Sequence, residues 1–297
     1  MHGKSPSSAT KRKRLPLGLT AVVILCVLFT AALIYIDRGI EPPSEPMEGC
    51  TVIVPYTGDA MCAIIKAGDM CFMIDTGSYA DRDITAAALK RAGVEKVDML
   101  VISHSHADHF GGYPALKGIK VDKVFISPFR DGENSFYQDC LEFFSDKGST
   151  VAQAPVGESV SFGDIVFTFL GPVGEYEDIN DMSVVVRMSY GAVSVLFPGD
   201  MTGNEANGIM DTGAVLLSDV FIASHHGSAS DGANSYRLLR EVMPSYVIIS
   251  SAGKSSSHGY PHEVFLSRLK DLGCEVHRTD LEGDVVFVLD GTKVIFR

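Results

Sequence analysis

Cysteine is scarce in this chain of 297 residues, and its spacing suggests neither a disulfide framework nor a metal knuckle. Six cysteines are present, one of them (Cys26) in a long apolar run near the N-terminus. The other five are an odd number, and no C-x-x-C pair occurs, which argues against paired disulfides and against a cysteine-bound zinc ion. We therefore expect most of these cysteines to be small buried apolar residues.

Positive charge is also scarce. The chain has 25 Lys and Arg against 37 Asp and Glu, a formal net charge of −12. Residues 1–36 contain five of the cations and no acidic residue, so the remainder has 20 cations against 37 anions, a net charge near −17. Such a composition excludes a protein that holds nucleic acid through phosphate contacts alone. It does not exclude an enzyme whose metal ions meet the phosphate.

The N-terminal residues divide into three segments. Residues 1–14 are polar and basic, residues 15–36 are 22 residues without a charge, and residues 37–49 are a linker rich in Pro and Glu. At about 1.5 Å per residue, a helix of that length spans about 33 Å, enough to cross a hydrocarbon layer of ~30 Å. Because the cations of the tail should stay in the cytoplasm, we predict a single-pass anchor in membrane lipid, with the domain at 50–297 outside the cytoplasm.

The domain at 50–297 begins with short strand-like segments and then alternates helices with strands twice. Two mixed sheets packed face to face with helices outside, an α/β sandwich of αββα type, would satisfy that order. No repeat of 20–50 residues is visible. Four polar segments follow strand ends, where a rigid backbone positions side chains. They are "SHSHADH", "FPGD", "ASHHGS" and "SSAGKSSSHGYPH".

The segment "ISHSHADHF" places His104, His106, Asp108 and His109 after the buried strand "VDMLVI". Residues 104 and 106 can point to one side while 108 and 109 turn to another, which suits two metal ions about 3.5–4 Å apart, an arrangement that supports hydrolysis. Imidazole and carboxylate without thiolate suit zinc, manganese or iron. We predict two divalent ions, zinc or manganese, and no organic cofactor.

This H-x-H-x-D-H order resembles the metal motif of the metallo-β-lactamase fold. "FMIDTG" resembles the family's early D-x-G, which implies that Asp75 lies beneath the metal site. "VLFPGD" resembles a later strand that ends in a metal-bridging aspartate, here Asp200. "NDMSVVVRMSYGAVSVLFPGD" and "DVFIASHHGSASD" look most like the hydrolase domain of the competence protein ComEC. The resemblance covers roughly residues 50 to 297 and implies the αββα fold and metal-dependent hydrolysis.

The chain departs from the family pattern in the middle of the domain. Many members have a further histidine ligand between the cluster and the later aspartate, whereas this chain has no histidine between His109 and His225. Asn180 or Asp181 could stand near that place, His225 could supply the ligand, or one metal could bind weakly.

A second departure lies in "HGYPH", where the resemblance to Y-G-H-P puts Tyr260 at a histidine position. Of the flanking histidines, His258 and His262, we favour His258 as the one that lines the site. Of the adjacent pair after the strand "DVFIA", only one should face the site, and we favour His225 over His226.

These arguments define the predicted site. The predicted catalytic residues are Asp108, His225 and His258. The predicted metal ligands are His104, His106, Asp108, His109, Asp200 and His225. Supporting or substrate-contacting roles are predicted for Asp75, Asn180, Asp181, His226, Ser228 and His262.

Two other motifs, typical of other protein families, are less convincing. "DTG" at 75–77 is also found in aspartic proteases, but those need a second copy or a small dimeric chain, and this larger chain has one copy. "GKS" at 253–255 lacks the glycine that a phosphate loop requires at position 248, which is Ile.

We therefore expect a membrane-anchored metal-dependent hydrolase outside the cytoplasm. The resemblance favours phosphodiester hydrolysis on DNA or a nucleotide, with a separate DNA-uptake channel as a candidate partner. One alternative is an acyl substrate such as a lactone, thioester or β-lactam. Another is a non-catalytic metal-binding partner of such a channel. A cleft lined by Lys or Arg would favour phosphate, and an apolar cleft would favour acyl compounds.

Overall fold

The computed structural model describes residues 49–129 and 134–297. The predicted basic tail and anchor, and the linker apart from Gly49, lie outside the described residues and stay predictions. Within the part of the chain that is described, no helix combines the length and apolar character needed to cross a membrane.

The described residues form fifteen strands and seven α-helices. The strands are β1 (Cys50–Val54), β2 (Cys62–Ala67), β3 (Met70–Thr76), β4 (Lys96–Val101), β5 (Lys120–Ile126), β6 (Thr150–Gln153), β7 (Ser159–Phe162), β8 (Ile165–Gly171), β9 (Val185–Tyr190), β10 (Val193–Phe197), β11 (Val220–Ile222), β12 (Tyr246–Ile249), β13 (Glu275–Arg278), β14 (Val285–Leu289) and β15 (Val294–Phe296). The helices are α1 (Arg82–Arg91), α2 (Ala107–Phe110), α3 (Ser135–Asp146), α4 (Gly203–Asp211), α5 (Tyr236–Val242), α6 (Glu263–Leu272) and α7 (Thr279–Glu282).

Both sheets are mixed, as the sequence predicts. The first has the order β15-β14-β1-β2-β3-β4-β5-β6, and the second β13-β12-β11-β10-β9-β8-β7. Strands β3 to β6 are parallel, as are β10 to β13, while the remaining pairs are antiparallel. Each sheet therefore joins an antiparallel half to a parallel half whose crossovers include helices.

Alternation along the strands explains the layers. On β3, Phe72 faces the second sheet and lies 5.0 Å from the ring of Phe167 on β8. Its neighbour Met73 faces the other way and packs in a cluster with Leu89 of α1 and Phe144 of α3. Burying a side chain of this size stabilises the fold by about 1.5–3 kcal/mol.

The second sheet has an equivalent outer layer. Phe221 of β11 packs in one cluster with Ile209 of α4, Leu238 of α5 and Phe265 of α6. Helices therefore cover both outer faces, and the predicted αββα sandwich is confirmed.

The cysteines behave as predicted within the described residues. All five are free, and four of them are buried while Cys274 is half-buried. Burial raises the pKa of Cys50 to about 12 and, with smaller effects of Lys66 and Asp98, that of Cys71 to about 12. These thiols stay protonated and act as apolar core groups.

Candidate metal centre

The histidine-rich loop leaves the end of β4 and is held against the end of β3. Thr76 donates its hydroxyl hydrogen to the carbonyl oxygen of Phe110, at 2.8 Å. A Cβ at Gly112 would overlap the carbonyl oxygen of Thr76, so only glycine permits this close approach. The short helix α2 begins after His106, whose extended backbone (φ −80°, ψ 139°) separates its side chain from those of the helix.

Asp75 lies beneath this loop, fully buried and with a left-handed backbone (φ 58°) that is unusual outside glycine. Its Oδ1 accepts a hydrogen bond from the Ser103 amide at 2.7 Å, and its Oδ2 accepts one from the Ser103 hydroxyl at 2.8 Å. The same Oδ2 lies 2.7 Å from Nδ1 of His109. A carboxylate at one ring nitrogen orients the other nitrogen, here Nε2, for use as a metal ligand.

His226 is oriented in the same way from the second sheet. Its Nδ1 lies 3.1 Å from the carbonyl oxygen of Ser250, at the end of β12. Because a carbonyl only accepts, Nδ1 carries the hydrogen and Nε2 has the lone pair. That Nε2 lies 3.2 Å from Oδ2 of Asp108 and 3.8 Å from Oδ2 of Asp200.

Two groups of ligand atoms meet at Asp200. Within each group all the ligand atoms lie within 4.8 Å of one another. The first group is Asp108, His109, Asp200 and His226, and the second is His104, His106 and Asp200. The strand ends explain this convergence, since β4 leads to the loop, β10 to Asp200 and β11 to His226.

The donor set fits divalent metal ions. Nε2 of His109 and Nε2 of His226 are both buried without a hydrogen-bond partner. Although Nε2 of His109 is only 3.1 Å from Asp200 Oδ1 and Nε2 of His226 only 3.2 Å from Asp108 Oδ2, neither pair of atoms is aligned as a hydrogen bond. Buried nitrogens are seldom left unpaired, so a bound ion explains both atoms. Three or four imidazole and carboxylate ligands per group are typical of zinc or manganese sites.

The second group is less complete. His104 Nε2 lies 3.0 Å from Nδ1 of His106 and 3.8 Å from Oδ2 of Asp200. The other nitrogen of His104 lies 3.0 Å from the Ser103 hydroxyl and 3.4 Å from that of Ser183. Among the described residues this group offers three protein ligands, whereas the first offers four.

Burial and charge oppose each other in the cluster. Burial alone would raise the pKa of Asp200, but His109 and His226 outweigh it and hold that pKa well below its usual range. Burial would lower the pKa of His109, yet Asp200, Asp75 and Asp108 raise it well above its ordinary value. Metal ions must therefore displace protons, so metal affinity should fall as the pH is lowered.

The structure does not bring Asp181 to this cluster. Its carboxylate accepts hydrogen bonds from the amide of Thr202 at 2.7 Å, from the hydroxyl of Thr202 at 2.8 Å and from the amide of Glu205 at 3.3 Å. It therefore satisfies the amino end of α4 instead of meeting the histidines. Asn180 lies in the same short turn and belongs to neither ligand group.

The structure places His226, and not the favoured His225, among the candidate metal ligands. The sequence favoured His225 as the ligand, but His226 joins the first group, and His225 belongs to neither. Nε2 of His225 lies 3.8 Å from Oδ2 of Asp200 and 3.1 Å from the hydroxyl of Tyr260. Both histidines have left-handed backbones, φ 47° and 55°, which redirect their side chains.

The residues around "HGYPH" lie outside the two ligand groups. The favoured His258 is exposed and its ring stacks on Tyr260, with 5.4 Å between centroids. Nδ1 of His262 accepts a hydrogen bond from the Ala229 amide at 2.9 Å and so anchors a loop. Ser228 is buried, and its oxygen accepts from the Ser230 amide at 3.1 Å. From this segment it is Tyr260 that reaches His225.

Three supporting residues were missed in the sequence: Ser103, Ser183 and Ser250. Serines are common in loops, and nothing in the local sequence separates Ser183 and Ser250 from other serines. Only Ser103, which directly precedes His104, has a positional clue. Ser250 acts through its carbonyl oxygen, which no side-chain pattern reveals.

Comparison with known proteins gives a family match and two related sequences. The family model described as "Metallo-beta-lactamase superfamily" matches residues 56–251. Competence protein ComA of Neisseria gonorrhoeae is 27% identical over 305 residues, covering 96% of this chain and 40% of its own length. ComE operon protein 3 of Bacillus subtilis (strain 168) is 26% identical over 206 residues, covering 67% of this chain and 25% of its own. The chain thus spans less than half the length of either relative.

Solved structures show the same fold. The metallo-beta-lactamase fold protein YhfI from Bacillus subtilis has a TM-score of 0.52 at 13% identity, covering 84% of this chain and 100% of its own. A diphosphatase from the PhnP family has a TM-score of 0.51 at 12% identity, covering 82% and 99%. At these identities the likeness concerns the fold alone.

Proposed function

This chain belongs to the metallo-beta-lactamase superfamily, and from that premise we propose that it is a metal-dependent phosphodiesterase acting on DNA or a nucleotide. The observation that carries the proposal is the convergence of two ligand groups on the shared carboxylate of Asp200. A single structural ion would not need a second group of histidines beside the first. Two ions that share a carboxylate are the arrangement used to displace groups at phosphorus.

The first ion would be held by Asp108, His109, Asp200 and His226, and the second by His104, His106 and Asp200. Two ions there would supply Lewis acidity toward a phosphoryl oxygen and promote ionisation of the attacking water. Asp75 and the carbonyl oxygen of Ser250 keep the ligand nitrogens aimed at the cluster.

Asp108 is the exposed member of the first group, with 37% of its side chain accessible. Burial would raise the pKa of its carboxyl, but His109 and His226 lower it below its usual range, so it stays ionised at neutral pH. An ionised carboxylate at the mouth can accept a proton from the attacking water at an oxygen that is not engaged. His225, predicted to be a catalytic residue and a ligand, belongs to neither ligand group, and its contact with Tyr260 is taken up below.

One consideration supports a phosphodiester over an acyl substrate: a relative named above is a competence protein, and DNA uptake involves phosphodiesters. The described residues in contact with the cluster include no Lys or Arg, so the lining itself does not favour phosphate, and the charge of a diester would have to be met by the metal ions. The predicted anchor at 15–36, a domain outside the cytoplasm and a separate DNA-uptake channel as partner belong to the same proposal.

The test is to load the full chain with Mn²⁺ or Zn²⁺, measure bound metal by mass spectrometry, and assay bis(p-nitrophenyl) phosphate and single-stranded DNA. The matched variants are Asp108→Asn at the site and Asp211→Asn on the surface. We expect about two ions per chain and cleavage that only Asp108→Asn abolishes. Bound metal with hydrolysis of a lactone or β-lactam but not of a diester would move the assignment to acyl substrates. Absence of bound metal would refute a hydrolase.

A further inference from the structure

Tyr260 lies among imidazoles at the edge of the metal centre, and none of the roles assigned so far uses its hydroxyl. The residue is 9% exposed, so its ring is held in place. Four histidine rings surround it at centroid distances between 5.2 and 6.2 Å, those of His225, His226, His258 and His262. A phenol in this position is fixed both by packing and by polar neighbours.

The hydrogen bonds of the phenol leave its own hydrogen free to point outward. Nε2 of His225 lies between two oxygens, Tyr260 Oη at 3.1 Å and Asp200 Oδ2 at 3.8 Å. The negative charge of Asp200, too distant for a hydrogen bond, favours the tautomer with hydrogen on Nε2. In that tautomer the ring donates to the phenol oxygen. Burial raises the pKa of the phenol, and the side chain of Ser228 is close enough to lower that pKa by a smaller amount. The Ser228 oxygen already accepts from the Ser230 amide, so its hydroxyl hydrogen is available for Tyr260.

This side of the cluster is also where solvent enters. The side chains of His104 and His109 are 1% exposed and that of His226 is 4% exposed, whereas His225 is 22% and Asp108 is 37% exposed. His225 is therefore one of the partly accessible side chains at the cluster, together with Asp108 and His106. The left-handed backbone of His225 (φ 47°, ψ 50°) turns its ring toward this mouth while the next residue turns inward. Backbone strain of this kind gathers at sites of function.

We propose that Tyr260 is a substrate-binding residue, whose hydroxyl donates a hydrogen bond to an anionic oxygen of a phosphodiester while His225 and Ser228 hold the phenol oxygen. Two donors to that oxygen polarise the O–H bond and strengthen the hydrogen bond it gives. A hydrogen bond to a charged oxygen is stronger than one to a neutral group. The inference rests on the proposed function in one respect, that the substrate presents an anionic phosphoryl oxygen.

The direct test measures binding of inorganic phosphate to the metal-loaded full chain by calorimetry. Tyr260→Phe removes only the hydroxyl and should raise the Kd about 10-fold, with bound metal unchanged. Tyr236→Phe removes the same atom from a surface tyrosine that hydrogen-bonds to Asp271, and should leave the Kd as in the wild type. An equal Kd for wild type and Tyr260→Phe would overturn the proposal, as would a wild type that loads metal but does not bind phosphate.

Turnover separates this role from proton donation. If Tyr260 binds a non-bridging oxygen, Tyr260→Phe should lower kcat/KM by about 10- to 100-fold, and equally for diesters with good and poor leaving groups. A loss that grows with the basicity of the leaving group would overturn the assignment in favour of proton transfer. If the wild type cleaves no diester, the proposed function fails, but phosphate binding still decides the role of Tyr260.

A second variant guards against loss of folding. If Tyr260→Phe loses metal or unfolds, Ser228→Ala leaves the phenol in place and removes one of its two supports. We then expect a smaller rise in the phosphate Kd, about 3-fold, at normal metal content. An unchanged Kd in Ser228→Ala would count against the proposed arrangement.

Discussion

Asp181 and Asp200 lie 19 positions apart and are both buried, but their carboxylates have different partners. Asp181 is fully buried and Asp200 is 2% exposed. The neighbours of Asp181 are amides and a hydroxyl at the start of α4. Those of Asp200 are imidazole nitrogens of His104, His109, His225 and His226 at 3.1 to 3.8 Å. A backbone amide can donate a hydrogen bond to a carboxylate but does not bind a metal ion. An imidazole nitrogen can release its proton and bind a metal ion instead. The partners, and not the burial, therefore distinguish the candidate site from a structural one.

The same contrast appears in the pKa values nearby. At Asp200 the histidines outweigh burial, and the pKa of the carboxyl is held low. At Glu205, next to the Asp181 region, burial dominates and raises the pKa of the carboxyl to about 7, although Tyr176 and the Val173 amide act in the other direction. One buried region is therefore arranged to keep a carboxylate charged, and the other tolerates a neutral acid.

The largest expected effect comes from exchanging the shared carboxylate. Asp200→Asn should lower kcat/KM for bis(p-nitrophenyl) phosphate by more than about 10³-fold, because both ligand groups lose their common member. Bound metal should fall for both groups. Asp181→Asn, the same change at the other aspartate, should leave bound metal unchanged. Metal analysis of the two purified variants checks this prediction. Equal loss of metal in both variants would contradict the assignment of Asp200 alone to the metal site.

Single histidine changes should separate the two ligand groups. His226→Ala should remove one ion per chain and leave the group of His104 and His106, and His104→Ala should do the reverse. Each should cost about 10²-fold or more in kcat/KM, since hydrolysis needs both ions. Because the His104 group has three protein ligands, its ion should be the first to leave under a chelator. Competition with a coloured chelator gives the order, and simultaneous release of both ions would contradict it.

Removing the Asp181 carboxylate altogether should affect stability instead of chemistry. Asp181→Ala leaves the Thr202 and Glu205 amides unpaired at the start of α4, and should lower the free energy of unfolding by about 3 kcal/mol. Urea unfolding of the full chain checks this, with Asp211→Ala on the exposed end of the same helix as control. Normal stability with lost metal would mean that Asp181 acts in the site after all.

The fold and part of the candidate site could be predicted from the sequence. The αββα order was predictable because strands and helices alternate with clear hydrophobic periods, and the cluster at 104–109 was visible because its members are local. The choice between His225 and His226 could not be predicted, because side-chain alternation assumes an extended backbone and both residues have a left-handed backbone. The role of Asp181 depends on α4, some twenty residues later, and that of Ser250 on its carbonyl oxygen at the end of β12.

The smallest expected effect is a pH dependence at Glu205. A carboxyl whose pKa is about 7 when folded, and ordinary when unfolded, binds more protons in the folded state between these values. Its contribution to stability is therefore greatest below the ordinary pKa and declines as the pH rises to about 7. Between pH 5 and pH 8 the loss in the free energy of unfolding should be about 2 kcal/mol.

Glu205→Gln should remove this pH dependence of the free energy of unfolding, whereas Glu241→Gln on an exposed helix position should not. Urea unfolding of both variants and the wild type at pH 5, 6, 7 and 8, in the presence of a chelator, isolates the effect from metal binding. If Glu205→Gln keeps the full wild-type slope, the carboxyl is already ionised in the folded protein, and the two regions differ less than their partners suggest.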